Sequence, residues 1–206
     1  MNRAGMTLLE VMFAVAILTI VMGTLMGLSI SIGDTSQIRQ AQATAYFEAR
    51  RGMQTVVLEL RQARNQSLTV LPANNVSYQV ATDLDGNGSA VDVSGKIELS
   101  STRTIKRDTD DANGDGKTLD QVILIDGANT RVLANGLLAD EDANGNNVLD
   151  TGEDTNGNGV LDHGLWFSTW QAGIRRGVQV DIQVMRTSRL RFPIVANLSE
   201  VVIPRN

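Results

Sequence analysis

Several kinds of enzyme site need residues that this sequence lacks or nearly lacks. The chain has 206 residues, with no cysteine, one histidine and 4% aromatic residues. Without cysteine there is no disulfide framework, no thiol nucleophile and no zinc cluster of the cysteine type. The single histidine, His163, argues against a histidine-based metal site or a Ser-His-Asp triad. We therefore expect one domain, or one domain with an appendage, and no catalytic activity.

Charge is distributed in three zones along the chain. Residues 8–32 contain one charged residue, Glu10. Residues 83–165 contain 17 acidic and six basic residues, whereas residues 166–206 contain six arginines and two acidic residues. This uneven distribution argues against a uniformly soluble enzyme and indicates that each zone has its own role.

The first zone predicts a membrane-spanning helix. At about 1.5 Å per residue, the 22 residues of 11–32 would form a helix of roughly 33 Å, close to the roughly 30 Å hydrocarbon core of a bilayer. Arg3 precedes this run, so the positive-inside rule predicts a cytoplasmic N-terminus and an exported C-terminal part. An ordinary signal peptide would need a shorter apolar region and a nearby small-x-small cleavage site, but the nearest, 43–45, lies far beyond.

Glu10 is the one charged residue in this apolar run, and its presence in a membrane helix requires a functional explanation. A carboxylate near the end of a membrane helix costs a few kcal/mol on insertion scales and marks a functional position. If the chain were cut before Met6, the new ammonium would lie four residues before Glu10. The ammonium of a neighbouring copy would then pair with the Glu10 carboxylate and set the axial register between subunits.

The residues around Glu10 resemble a known processing signal. Residues 5–11 read Gly-Met-Thr-Leu-Leu-Glu-Val and follow a short leader that contains Arg3, a pattern that resembles the class III signal of type IV pilins and pseudopilins. The resemblance implies that a prepilin peptidase cleaves between Gly5 and Met6 and N-methylates the new terminus. Glu10 matches the fifth-position glutamate of the family, whereas Met6 stands where most members have phenylalanine. The resemblance also implies assembly with other pilins through the N-terminal helix.

Beyond the membrane run, apolar residues at spacings of three and four predict that the helix continues. These residues form one stripe: Ala45, Ala49, Gly52, Val56, Leu60 and Ala63. In the family, such a stripe is laid against a sheet. We expect four regions: a leader at 1–5, a transmembrane and assembly helix at 6–32, an exported amphipathic helix at 33–67 and a β-rich head at 68–206.

The head carries strand signals, of which Gly177–Met185 is the clearest because apolar and polar residues alternate there. Pro193 restricts the alternating run at 190–194 to an edge strand or a loop. The predicted fold class is α+β, a long N-terminal helix packed on an antiparallel β-sheet. The other predicted strands are Val76–Ala81, Ile97–Ile105, Gln121–Ile125 and Leu165–Trp170.

Four acidic tracts rich in glycine and asparagine interrupt these strands, and the third of them, loop C (residues 142–153), is the strongest candidate for a metal site. It aligns with the twelve-residue calcium loop of the EF-hand type, with oxygen side chains at positions one, three, five and nine and a glutamate at twelve. Position six is Asn147 instead of the usual glycine, and asparagine tolerates a left-handed backbone. The predicted ligands are Asp142, Asn144, Asn146, the Val148 carbonyl, Asp150 and Glu153.

Loop D (154–162), loop B (111–120) and loop A (83–92) repeat parts of this pattern. Loop D has Leu165 where the twelfth-position glutamate belongs, so we expect it to bind weakly unless Asp140 or Glu141 folds back. The predicted ligands are Asp154, Asn156, Asn158, Val160 and Asp162 in loop D, Asp111, Asn113, Asp115 and Asp120 in loop B, and Asp83, Asp85 and Asn87 with Asp92 in loop A.

Calcium is the predicted cofactor, with a structural role. The 26 residues of 139–164 have little apolar content and would not order alone. Calcium at the concentrations found outside cells would neutralise their charge, at dissociation constants of about 10⁻⁴ to 10⁻³ M. A solvated turn without metal is the alternative for all four loops, because Asn-Gly and Asp-Gly favour tight turns by themselves.

These patterns predict a minor pilin or a J-type minor pseudopilin, a structural subunit of a type IV pilus or a type II secretion pseudopilus. The J-type assignment comes from residues 50–67, which resemble the start of the exported part of those subunits. We expect the chain in the inner membrane with a periplasmic head, or outside the cell after assembly. The alternative is a membrane-tethered adhesion or DNA-binding pilin, in which phosphates of nucleic acid contact the basic tail. That tail contains Arg175, Arg176, Arg186, Arg189, Arg191 and Arg205.

Overall fold

The computed structural model describes residues 8–71, 75–173, 175–188 and 191–204. One long helix, α1 (Leu8–Gln62), precedes a short 3-10 helix (Asn65–Ser67) and eight strands. The strands are β1 (Thr69–Leu71), β2 (Asn75–Tyr78), β3 (Arg103–Arg107), β4 (Gln121–Asp126), β5 (Asn129–Asn135), β6 (Leu165–Ala172), β7 (Arg175–Thr187) and β8 (Pro193–Val202). The fold is α+β as predicted, a long apolar helix packed on antiparallel sheets.

Helix α1 has two halves with opposite environments. Every residue of 11–32 is exposed, and this half is long enough and apolar enough to cross a membrane. The C-terminal half instead buries the predicted stripe from Ala45 to Leu60 against the sheets, with Met53 and Val57 beside it. Ala63, the last predicted member of the stripe, is buried just beyond the end of the helix. A Cβ added to Gly52 would lie 2.6 Å from the Cβ of Ala134, so the glycine lets β5 approach the helix closely.

The helix ends at Gln62, five residues before the boundary predicted at 67. Ala63 instead forms an antiparallel bridge with Val80, and the backbone N–H of Arg64 donates to the carbonyl of Gln79 at 2.9 Å. Pairing with this neighbouring segment therefore ends the helix where the sequence contains neither glycine nor proline. Residues 72–74, near the start of the predicted head, lie outside the described residues.

The strands form two antiparallel sheets that both pack on α1. One has the order β1-β2-β3-β4-β5, and the other has the order β6-β7-β8. In β7, Val178, Val180, Ile182 and Val184 are buried and the intervening polar residues are half-buried, as the alternation predicted. Pro193 begins β8, an edge strand. Trp166 and Trp170 are half-buried on the outer side of β6, because Leu165 and Phe167 take the buried positions.

A short neck joins the two sheets and carries the segment that contains loops C and D. Residues 136–138 pair with β7 just beyond Leu165, the first residue of β6. The backbone N–H of Leu138 donates to the carbonyl of Gln183 at 2.9 Å. The backbone N–H of Gln183 donates to the carbonyl of Gly164 at 2.7 Å. The segment 139–164 thus leaves and rejoins the sheet at one residue of β7.

The side chains of Gln183 and Arg107 complete this neck. The Gln183 amide accepts from the Gly164 N–H at 2.9 Å and donates to Asp162 Oδ1 at 2.5 Å. The buried Arg107 guanidinium donates to the carbonyls of Leu138, at 2.6 Å, and His163, at 2.8 Å. Burial lowers the pKa of Arg107, and the charges of two nearby carboxylates, Asp140 and Asp120, oppose that shift. Both ends of the segment are therefore held by hydrogen bonds in a mostly buried place.

We predict that Gln183→Leu lowers the free energy of unfolding by about 1–3 kcal/mol, because the buried Gly164 N–H and Asp162 carboxylate each lose a partner. Urea unfolding of the full chain in detergent micelles would measure the change. Gln179→Leu is the matched control on the same side of β7, since the Gln179 amide makes only bonds of 3.2–3.4 Å. Equal losses in the two variants would contradict this role of Gln183.

Candidate metal-binding loops and N-terminal signal

Loop C has a dense set of hydrogen bonds between its side-chain oxygen atoms and its own backbone N–H groups. The Asp142 carboxylate accepts from the backbone N–H groups of residues 146 and 147, at 2.9 Å each. Asn144 Oδ1 and Asn146 Oδ1 each accept from the N–H two residues on, at 2.9 and 2.7 Å. Asn147 has φ +57°, the left-handed conformation expected at this position. The loop therefore brings residues one, three and five together as the spacing predicted.

Two further carboxylates close loop C. Asp150 Oδ2 accepts from the side-chain amides of Asn144 and Asn146, at 2.8 and 2.7 Å. Glu153 accepts from the backbone N–H of the second loop residue, Ala143, at 3.1 Å and from that of Asp150 at 3.0 Å. Both predicted closing residues, at positions nine and twelve, thus face the same loop. Val148 has an exposed side chain, which leaves its backbone as the group that would contribute a ligand.

Loop D repeats most of the hydrogen bonds of loop C. Asp154 accepts from the backbone N–H groups of residues 158 and 159, and Asp162 Oδ2 accepts from the amides of Asn156 and Asn158 at 2.8 and 2.7 Å. Asn156 Oδ1 and Asn158 Oδ1 accept from the N–H groups two residues on, at 3.0 and 2.7 Å. The residues predicted for loop D therefore also gather in one place.

Glu141 supplies the carboxylate that loop D lacks in its own sequence. It is 1% exposed and accepts from the N–H of Thr155, the second loop residue, at 2.9 Å, and from that of Asp162 at 3.2 Å. These are the same two bonds that Glu153 makes in loop C. Of the two candidates that the sequence offered for folding back, Glu141 takes this position, whereas Asp140 Oδ1 contacts His163 at 3.1 Å.

The two loops therefore exchange their closing carboxylates. Glu141, which closes loop D, directly precedes Asp142, the first residue of loop C. Glu153, which closes loop C, directly precedes Asp154, the first residue of loop D. Because each Glu-Asp pair serves both loops, ordering one loop positions a carboxylate of the other.

In loop A, the structure replaces one predicted residue by another. Asp83 Oδ2 accepts from the Gly88 N–H at 2.8 Å, and Glu98 Oε2 accepts from the N–H of the second loop residue, Leu84, at 2.6 Å. Ligand oxygens of Asp83, Asp85 and Glu98 lie within 4.8 Å of one another. Asn87 also contacts this cluster, because its Nδ2 donates to Asp85 Oδ2 at 2.9 Å.

Asp92, the later ligand considered for loop A, does not join that cluster. It instead accepts from the backbone N–H groups of Ser94 and Lys96, at 2.8 and 2.9 Å. Glu98 was missed because it lies six residues beyond the predicted end of the loop and reaches it only through tertiary structure.

Loop B also departs from its sequence prediction. Asp111, Asn113 and Asp115 make the expected bonds to N–H groups at 2.9–3.0 Å. The buried Gln121 lies among them: its amide accepts from Asn113 Nδ2 and donates to Asp115 Oδ2, each at 2.8 Å. Within the described residues, no hydrogen bond joins the Asp120 side chain to the loop, and Asp120 interacts with Arg107 instead.

Hydrogen bonds lower the pKa of a carboxyl group in three of these loops. The chief cause is the Gly88 N–H for Asp83, the Gln121 amide for Asp115 and the Asn144 amide for Asp150. The stability that these groups contribute is complete above the ordinary aspartate pKa of about 3.9, and it is lost as the pH falls through their lower folded values. At neutral pH these three carboxylates are therefore ionised, and carboxylate and amide oxygens are donors that suit calcium better than zinc.

The other candidate sites are less organised. His163 is half-buried and stacks on Trp166, with ring centroids 4.2 Å apart. Arg175 and Arg176 lie at one end of β7 and Arg186 at the other, roughly 35 Å away at 3.3 Å per residue. Arg186 also pairs with Glu48 of α1. The described arginines of the basic tail thus do not form one patch, and Arg189 and Arg205 lie outside the described residues.

The N-terminal signal leads directly into α1. Gly5 and Met6 lie outside the described residues, and Glu10 lies exposed in the first turn of the helix. Residues 1–26 match the family model of the prokaryotic N-terminal methylation motif. No curated protein and no solved structure matches the chain. The chain therefore carries a type IV pilin-like prepilin signal, the mark of a membrane-anchored protein that a prepilin peptidase processes and that assembles with other subunits.

Proposed function

We propose that this chain is a non-enzymatic minor subunit of a type IV pilus or of a type II secretion pseudopilus. The observation that carries this proposal is the continuity of α1: the prepilin signal runs into an exposed, membrane-length half, and the other half forms the core of the head. Before assembly, such a chain is anchored in the inner membrane with its head in the periplasm. It then joins the filament with its helix and head intact. The resemblance of residues 50–67 to J-type minor subunits supports a place in a small complex at the filament tip.

Assembly uses the exposed half of α1. Its apolar side chains need lipid before assembly and neighbouring helices afterwards. Gly23 and Gly27 lie on this half with open space around them, so another helix can approach closely there. In the filament, the methylated ammonium of Met6 of one subunit pairs with Glu10 of its neighbour, which compensates the carboxylate in an apolar setting.

Loops C and D bind two calcium ions, which stabilise the conformation of the segment 139–164. The support is the arrangement of Asp, Asn and Glu side chains around backbone N–H groups that the two loops share, together with the low apolar content of 139–164, where Val148 and Val160 are exposed. Without a cation, the clustered carboxylates repel one another, so the bound ion stabilises the folded insertion. The ligands are Asp142, Asn144, Asn146, Val148, Asp150 and Glu153 for one ion, and Asp154, Asn156, Asn158, Val160, Asp162 and Glu141 for the other.

The mass of the mature protein tests the processing step. We expect a chain that begins at Met6 and carries one extra methyl group, because the cleavage signal places Gly5 immediately before the cut. Mass spectrometry of protein purified from membranes of the source cells would show it. Gly5→Leu is expected to keep the leader, with Ala4→Ser as a processed control. An intact leader on the natural sequence would contradict the proposal.

A clean deletion in the source organism tests the function itself. We expect the loss of surface pili or of secreted proteins, scored side by side, with restoration by the complete gene. Complementation by Glu10→Leu is expected to fail although the protein accumulates, because the subunit contact lacks its carboxylate. Loss of pili alone identifies a pilus subunit, and loss of secretion alone identifies a pseudopilin. A strain that keeps both would overturn the proposal.

Calcium is expected to raise the melting temperature of the full chain in detergent micelles, and Asp142→Ala with Glu153→Ala to remove most of that increase. Because the loops exchange glutamates, binding should be cooperative, with a Hill coefficient above one that falls toward one in Glu141→Gln. Glu200→Gln is the control, since Glu200 lies far along the chain and pairs with Arg61 at 3.4 Å. Identical melting with calcium and with chelator would contradict the structural role of calcium.

A further inference from the structure

Asp108 is a buried carboxylate with one unsatisfied oxygen, at the base of loop B. Its side chain is 0% exposed, Oδ1 accepts from the N–H of Ala112 at 3.0 Å, and Oδ2 has no hydrogen-bond partner. Its backbone bonds to Gln121 and Leu119 at 2.9 and 2.6 Å, which fixes it where the loop begins and ends. A buried charged oxygen without a partner is strongly unfavourable in a folded protein.

The cationic side chains next to Asp108 have other partners. Lys106 pairs with Asp110 at 3.1 Å, and the Arg107 guanidinium donates to the carbonyls of Leu138 and His163. None of the ion pairs within the described ranges includes Asp108. Within the described residues the Asp108 carboxylate therefore has no ion-pair partner, and a bound cation would supply one.

Asp108 occupies in loop B the place that a glutamate occupies in loops C and D. It accepts from the N–H of the second loop residue, as Glu153 does in loop C and Glu141 in loop D. Both of those glutamates use their second oxygen on another backbone N–H, at 3.0 and 3.2 Å. The unused oxygen of Asp108 is thus a property of loop B and leaves a position for a ligand.

We propose that Asp108 completes a third calcium site, together with Asp111, Asn113 and Asp115 and with the amide oxygen of Gln121. Three carboxylates and two amide oxygens are the hard donors that calcium prefers. The site lies in the connection between β3 and β4, so a bound ion ties these paired strands together. The proposal rests on the use of calcium by the head, but it does not require ions in loops C and D.

Calcium stoichiometry of the full chain in detergent micelles tests the site. Equilibrium dialysis at millimolar calcium should show that Asp108→Asn binds one ion fewer than the natural chain. Asp110→Asn, which changes an exposed neighbour paired with Lys106, should keep the full number. The double variant Asp142→Ala/Glu153→Ala should lose ions of its own and keep the one that depends on Asp108. An unchanged number in Asp108→Asn overturns this site alone, and a natural chain that binds no calcium overturns it together with loops C and D.

Melting curves distinguish ligation from a purely structural role. In chelator, Asp108→Asn should melt at the same or a higher temperature than the natural chain, because a neutral amide is easier to bury than an unpaired carboxylate. In calcium the order should reverse, because only the natural chain gains the ion. A variant that melts lower under both conditions would show that the Asp108 carboxylate stabilises the chain without an ion, and would overturn the proposal.

Discussion

The packing of one face of α1 against two sheets is the interaction on which the head depends. Small residues at Ala45, Ala49 and Gly52 bring the helix close to the sheets, and larger ones such as Val56 and Leu60 fill the remaining core. The same helix continues without a break into its exposed apolar half. The orientation of the head relative to the membrane span is therefore set by the stiffness of one helix, and not by a linker.

The elements with a strong local pattern could be predicted from sequence, and those set by partners could not. The stripe of α1 and the alternation of β7 follow the spacing of apolar residues, and both are confirmed. The predicted end of α1, residue 67, was wrong because the helix stops where Ala63 pairs with Val80. Most of β8 was missed because Asn197, Ser199 and Glu200 weaken its alternation, although the strand pairs with β7 along its whole length.

In the loops, too, the residues placed by local hydrogen bonds could be predicted and those placed by tertiary structure could not. Residues one, three and five of each loop are placed by short-range hydrogen bonds, so their spacing alone predicts where their oxygens point. The closing carboxylates Glu98, Asp108 and Glu141 lie outside the predicted loops and are brought in by the strand pairings around them. One signal was available for Glu141: the dipeptide Glu-Asp occurs at 141–142 and again at 153–154, one loop length apart.

The neck at Gln183 has a mechanical consequence for a subunit in a filament. Tension along the chain reaches the insertion at Leu138 and leaves it at Gly164, and both residues are bonded to the same residue of β7. The load therefore passes across these few bonds and through the sheet, and the 25 residues between Leu138 and Gly164 carry none of it. Loops C and D can differ in length or ion content without changing the tensile strength of the head, until the bonds of the neck break.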